Sequence, residues 1–104
     1  MRFTRAVRIG ALAAVAATAL AAQPAHAATG QVVAFTHEFD ALQVWVDPSG
    51  CHTLPIASHL IFNQTDQVVV IYADPLCLLP IEPFARVKPG YGTHVSAVGS
   101  FRAP

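Results

Sequence analysis

The only two cysteines of the chain sit in two copies of nearly one phrase, VWVDPSGCHTLPI at 44–56 and VIYADPLCLLPI at 70–81. Each copy runs aromatic, one residue, Asp-Pro, a short gap, Cys, then Leu-Pro-Ile. Asp-Pro starts a turn and breaks a helix. Two strand ends, each turning at Asp-Pro and each delivering a sulfur, leave two arrangements open. One is a shared reactive or metal-binding pair. The other is a duplicated strand–turn unit stapled across its copies, and the rest of the chain favours it.

The N-terminus has the pattern of a secretory signal. Arg2, Arg5 and Arg8 precede an apolar run at 9–22, and Ala25 and Ala27 stand as an A-x-A cleavage site. The 14-residue run is short for a membrane span. The sequence therefore predicts a cleaved signal helix at 1–27 and one secreted, extracellular domain at 28–104. That domain keeps Arg86, Lys88 and Arg102 against Glu38, Asp40, Asp47, Asp66, Asp74 and Glu82, a net charge of −3. A mildly acidic domain with three scattered cations lacks the basic stripe that nucleic acid or an anionic membrane surface requires.

A 77-residue domain buries a modest share of its surface and benefits from a covalent staple. Export makes a disulfide the default state of Cys51 and Cys77. Closing a loop of roughly 25 residues is worth about 3.5 kcal/mol in the chain-entropy picture. The competing zinc set, Cys51, His52, His59, Cys77 and His94, contains no close ligand pair of the C-x2-C kind. Ser49, Ser58, Ser96 and Ser100 stand beside histidines but without a G-x-S-x-G elbow. The expectation is a non-enzymatic protein with no catalytic residue, metal or cofactor. Asn63-Gln64-Thr65 fits a glycosylation triplet, and fits an Asx-type turn better.

Seven of the eight prolines lie from Pro48 onward, and β-branched and aromatic residues cluster in short runs. The runs 31–35, 42–46, 59–63 and 67–72 predict strands, and 84–88 a partly exposed one. QVVVIY at 67–72 is apolar throughout, as in a strand covered on both faces. Turn signals fall at 47–50, 63–66, 73–75 and 88–92, a spacing that suits a sandwich or small barrel. A second repeat competes with the opening one. Gln31–Phe35 matches Gln67–Ile71, Asp47–Gly50 resembles Lys88–Tyr91, and Ser58–Leu60 falls near Gly99–Phe101. This longer period, near 40 residues, holds four short strands, one Greek key. It is preferred as the architectural one, with the shorter repeat a local echo.

Residues LPIASHLIFNQTDQVVVIYADPLC (54–77), VKPGYGTHV (87–95) and GSF (99–101) resemble the βγ-crystallin superfamily, in particular its small secreted bacterial members, which include a metalloproteinase-inhibitor type. The matching features are Ser58-His59 before a strand, Asn63 and Thr65 in a turn, Tyr72 closing an apolar strand, an Asp-Pro turn, Pro89-Gly90, and a closing Ser100. The resemblance implies an all-β fold, a small β-sandwich of two interlocked Greek keys. Family calcium sites use a D/N-D/N-x-x-S-S stretch. Leu54-Pro55 before Ser58 and Val98 before Ser100 supply no carboxylate, so no such site is expected. Leu78 stands where the family has a glycine.

One segment stands out for function, DPLCLLPIEP at 74–83. Leu76, Leu78, Leu79 and Ile81 are framed by Pro75, Pro80 and Pro83 and anchored at Cys77. A Pro-stiffened, disulfide-pinned, extended loop is how many proteinase inhibitors reduce the entropy lost on binding, with Leu78 as the residue entering the protease's pocket. The competing reading puts these leucines in the core, since a small core needs every large aliphatic it has. The sequence alone favours the core. The expected function is a binding or scaffold role outside the cell, and the alternative is a proteinase inhibitor acting through 76–81. The expected partner is an extracellular protein, a protease under the alternative, and neither nucleic acid nor, after cleavage, a membrane.

Overall fold

The computed structural model describes residues 26–104. Apart from His26 and Ala27, the signal segment expected at 1–27 lies outside the described residues. Eight strands follow in chain order: β1 (Gly30–Phe35), β2 (Gln43–Val46), β3 (Gly50–Thr53), β4 (Leu60–Thr65), β5 (Val69–Tyr72), β6 (Arg86–Val87), β7 (Gly92–His94) and β8 (Ser100–Ala103). The fold is all-β, with no helix among the described residues. Two four-stranded sheets form, sheet A in the order β2-β1-β4-β7 and sheet B in the order β3-β8-β5-β6. Every pairing is antiparallel.

The two sheets are built alike. Exchanging β1–β4 for β5–β8 turns the order of sheet A into that of sheet B read backwards. The registers follow the same exchange. Phe35 opposes Leu60 in sheet A as Ile71 opposes Phe101 in sheet B. Phe62 opposes Gly92 as Ala103 opposes Gly50. Each half of the chain gives three strands to one sheet and lends its third, β3 or β7, to the other. The longer sequence repeat is therefore the architectural one. The shorter repeat joins a β2–β3 corner to a β5 end, which the exchange does not relate.

Alternation along the strands decides the core. Val32, Ala34 and Ile61 point inward from sheet A, and Val69, Ile71, Val87, Phe101 and Ala103 from sheet B. Leu54 and Ala28 close the ends of this cluster. Trp45 packs edge-on to Phe101 with ring centroids 4.9 Å apart, and His52 stacks on the same ring at 5.2 Å. Gly30 begins β1 with φ +121°, and a Cβ there would lie 2.3 Å from the Gln64 carbonyl oxygen. Only glycine allows that approach.

One expectation changes. QVVVIY is only partly covered on its second face: Val69 and Ile71 are buried, whereas Val70 and Tyr72 are half-buried on the outer face. In LQVWV the single Trp45 faces inward, and Leu42, Val44 and Val46 face solvent. The sequence also showed no strand at β3, β7 or β8, short runs rich in Gly, His, Thr and Ser; β7 and β8 pair with the stronger β4 and β5, and β3 with β8.

Candidate functional site

The connection from β5 to β6 crosses the outer face of sheet B at its Thr53–Ser100–Tyr72 row, and the leucines ride on it. The Cys51–Cys77 disulfide ties this loop to β3, with Cα atoms 6.1 Å apart. That separation is within reach of a disulfide without backbone displacement. The bond consumes both sulfurs and leaves no thiolate for a zinc site or a nucleophile.

Side-chain hydrogen bonds fix the loop further. The Ser100 hydroxyl donates to the Asp74 carbonyl at 2.6 Å and accepts from the Cys77 amide at 2.9 Å. The Thr53 hydroxyl donates to the Pro75 carbonyl at 2.7 Å. The Asp74 carboxylate accepts the amides of Leu76 at 2.9 Å, Leu78 at 3.0 Å and Leu79 at 2.8 Å. An Asp collecting the amides that follow it is an Asx-type turn, to Leu76, extended by two further donors. The loop then rejoins the sheet, where the Ala73 amide donates to Leu79 and the Ile81 amide to Ile71. Cys77 sits in the left-handed region at φ +57°. That costs a non-glycine residue about 1–3 kcal/mol, which the disulfide and Ser100 must offset.

Pinning the backbone this way turns the side chains out. Leu76, Leu78 and Leu79 are 67, 69 and 64% exposed, so the core reading fails for all three. It holds for Ile81, which is half-buried against the core cluster and separate from the leucine knob. The loop is also not extended: the amides of residues 76, 78 and 79 turn back onto Asp74.

Desolvation alone would push the Asp74 carboxyl up, but the amides of Leu79, Leu76 and Leu78, with its own, outweigh that and hold it below the ordinary value of 3.8. A group whose folded pKa is depressed contributes fully above its unfolded pKa and loses that contribution as pH falls through the folded value. Amide-exchange protection at Leu76, Leu78 and Leu79 is therefore expected to hold from neutral pH down to 3.8 and to fall only below it. Asp74→Ala should lose it at every pH. Protection already lost between about pH 6 and pH 5 would exclude Asp74 as the loop's organiser.

Two other surfaces have recognisable chemistry. A shallow cleft of about 300 Å³ beside β6 and β7 brings Phe84 and Tyr91 together with Arg86 and Lys88. Arg86 there is 3.5 Å from Glu82. The outer face of sheet A forms an apolar groove lined by Val33, Phe35, Leu42, Val44, Leu60 and Phe62. Sequence reasoning missed Asp74, Thr53 and Ser100 as loop organisers. Only Asp74 had a local signal, its place before Pro75 and a run of free amides.

Neither a protein-family model, nor a curated protein, nor a solved structure matches this chain. The fold and the site together define a small all-β domain of two antiparallel sheets whose one disulfide anchors an exposed apolar loop.

Proposed function

We propose that this chain is a secreted, non-enzymatic binding domain that presents Leu76, Leu78 and Leu79 to an apolar pocket on an extracellular protein. The observation that carries the reading is the contrast within one loop: a backbone pinned at Asp74, Pro75 and Cys77 beside three large apolar side chains left in water. Rigidity of this kind reduces the ordering entropy that binding costs. Secretion is supported by the disulfide and by the residue pattern at 2–27. A fold of two interlocked Greek keys, as in βγ-crystallins, is supported by the strand order and the exchanged third strands.

A second reading, a proteinase inhibitor acting through 76–81, is favoured by the exposure of Leu78 and disfavoured by the turned backbone. Inhibitors that add a strand to a protease need free amides flanking the inserted residue. Asp74 already holds those of Leu78 and Leu79.

The variant Leu78→Ser/Leu79→Ser separates function from folding. Exposed substitutions usually change stability by less than about 0.5 kcal/mol, so Tm should shift by under about 4 °C. Removing a central anchor costs a partner about 2 kcal/mol or more, roughly 30-fold in Kd. Culture medium passed over immobilised protein should yield a species held by the native chain and not by the variant. Equal capture by both would remove the loop from the function. Inhibition of metallo-, subtilisin-like or chymotrypsin-like proteases by the native chain alone would promote the second reading.

A further inference from the structure

Residues 28–104 hold only three Lys and Arg side chains, and the fold gathers all three along one track. Strand register sets Arg86, Val70 and Arg102 in one row across β6, β5 and β8. Their strand neighbours Val87, Val69 and Phe101 point into the core, so this row lies on the outer face of sheet B. Two strand spacings, about 10 Å, separate the backbones of the two arginines. At the sheet edge Lys88 joins Arg86 in lining the cleft of about 300 Å³, together with Phe84 and Tyr91. Arg86 thus belongs to both, and the cleft continues the row. No acidic residue lines the cleft. Glu82 stands 3.5 Å from Arg86, whereas Lys88 and Arg102 have no carboxylate partner among the described residues. The other acids are placed elsewhere. Glu38, Asp40, Asp47 and Asp66 sit in the connections that leave β1, β2 and β4 of sheet A, and Asp74 faces the amides of its own loop.

The walls of the cleft are fixed in the backbone and open in the side chains. Phe84 and Tyr91 are 73 and 65% exposed. On one wall the Phe84 amide donates to the Ile81 carbonyl at 3.0 Å, and the Ala85 carbonyl accepts from Ile71 at 2.8 Å. On the other the Tyr91 amide donates to Lys88 at 3.0 Å. Buried Asn63 ties the two together. Its main chain bonds the Gly90 amide and the Tyr91 carbonyl, and its side chain donates to the Val87 carbonyl at 2.8 Å. Aromatic rings held in water on a fixed backbone lose little entropy on binding.

We propose that this track is a binding site for an acidic polysaccharide built of uronic-acid rings. Charge complementarity selects an anion, since the track concentrates every Lys and Arg of a domain that carries a net −3. Carboxylate suits the arginines, whose planar fork meets it with two parallel hydrogen bonds. The apolar C–H face of a sugar ring packs on the electron-rich faces of Phe84 and Tyr91. Length follows from the shape of the site. A small ligand in so shallow a cleft would bury little of its surface, whereas a polymer continues past Val70 to Arg102. A phosphodiester chain needs a denser run of cations than three. The site is separate from the leucine loop and does not depend on that loop's function.

Isothermal titration calorimetry of the full chain as recovered after expression, disulfide intact, tests the proposal with polygalacturonate as the probe. Binding should appear at about 20 mM salt and vanish at about 0.5 M. Fully methyl-esterified polygalacturonate, which keeps the rings and loses the charge, should not bind. Polyglutamate, which keeps the carboxylates and lacks the rings, should bind about tenfold more weakly. Lys88→Gln/Arg102→Gln should weaken binding about tenfold. Phe84→Ala/Tyr91→Ala should do the same. Ile56→Ser, at an exposed position in the β3–β4 connection, should bind like the native chain. The circular dichroism spectrum and Tm should be unchanged in all three variants, so a loss of binding is not a loss of fold. No binding of polygalacturonate at low salt overturns the proposal. So does equal binding of the ester or of polyglutamate, binding that survives high salt, or native affinity in either double variant. Tighter binding of oligothymidylate than of polygalacturonate overturns it in favour of nucleic acid.

Discussion

Replacing Cys51 and Cys77 by alanine is expected to lower the unfolding free energy by about 3.5 kcal/mol and Tm by about 14–28 °C. The bond spans 26 residues in sequence, a loop that holds β4 and β5, each a central strand of its sheet. Cutting it frees the unfolded chain far more than the folded one. A domain of this size has roughly 4–12 kcal/mol in all, so the variant should be marginal at 37 °C. The loss should also have a local part. Without the disulfide, the left-handed Cys77 position keeps only the Ser100 hydroxyl to hold it. Exchange protection at residues 76–79 should therefore fall further than in β1 or β4, whose ladders do not touch the loop. Urea melts and residue-resolved exchange on the native and double-alanine chains measure both. A stability change under about 1 kcal/mol, or equal loss of protection everywhere, would show the bond to be incidental.

The disulfide was legible because its cause is local and chemical. Two sulfurs, each behind an Asp-Pro turn, in a sequence with a signal-like N-terminal pattern, leave few alternatives. The strong strands were legible for a similar reason. Gln31–Phe35 and Val69–Tyr72 carry enough β-branched residues to declare themselves. Strands β3, β7 and β8 did not, because their pairing energy comes from neighbours. Gly50–Thr53 is a strand only because Ser100–Ala103 lies beside it, and Ser100–Ala103 in turn pairs with Val69–Tyr72. No window of ten residues contains that information. The repeat near 40 residues did contain part of it. An offset of 42, six residues longer than the one relating Gln31–Phe35 to Gln67–Ile71, sets Gly50 and His52 on Gly92 and His94, in the two exchanged strands.

The site was half legible, and the reason is physical. Leu78 and Leu79 look like core residues by every compositional rule, since burial is the ordinary fate of a large aliphatic. What turned them outward is the Asp74 carboxylate gathering three amides, together with the Thr53 and Ser100 hydroxyls from other strands. The polar groups decide the backbone, and the backbone decides where the leucines go. Likewise the alternation of LQVWV did not say which of its two sides faces the core. Its three aliphatics against one aromatic suggested no side, and the larger Trp45 took the core position against Phe101.

Asn63→Ala is expected to cost about 3 kcal/mol, or about 12–24 °C in Tm, although it removes only one small polar side chain. Asn63 is 1% exposed and lies on the inner face of β4. Its side-chain amide donates to the carbonyls of Gln67 and Val87, both at 2.8 Å. Its side-chain oxygen accepts from the Thr65 amide at 3.0 Å and the Thr65 hydroxyl at 2.7 Å. The main chain adds two more ties, to Tyr91 and Gly90. One residue thus fastens β4 of sheet A to β6 of sheet B and closes the turn into β5. Alanine would leave carbonyls and donors in a dry interior without partners, and that costs more than the loss of the bonds themselves. Burial at this depth also removes the triplet 63–65 as a glycosylation acceptor in the folded domain. Asn63→Asp keeps the shape and supplies the sharper test. An ionised carboxylate cannot donate to the Gln67 and Val87 carbonyls, whereas a protonated one can satisfy one of them. The folded state should therefore hold the proton of the introduced carboxyl more tightly than the unfolded chain, where the pKa is about 3.9. A raised folded pKa means the variant gains stability as pH falls from neutral toward about 4, over a range where the native Asn cannot titrate. Urea melts of both chains at about pH 7 and about pH 4.5 would show the difference between them narrowing in acid. A pH-independent difference, or an alanine variant within about 1 kcal/mol of native, would mean that water enters and satisfies the site, and that the two sheets are held by their apolar faces alone.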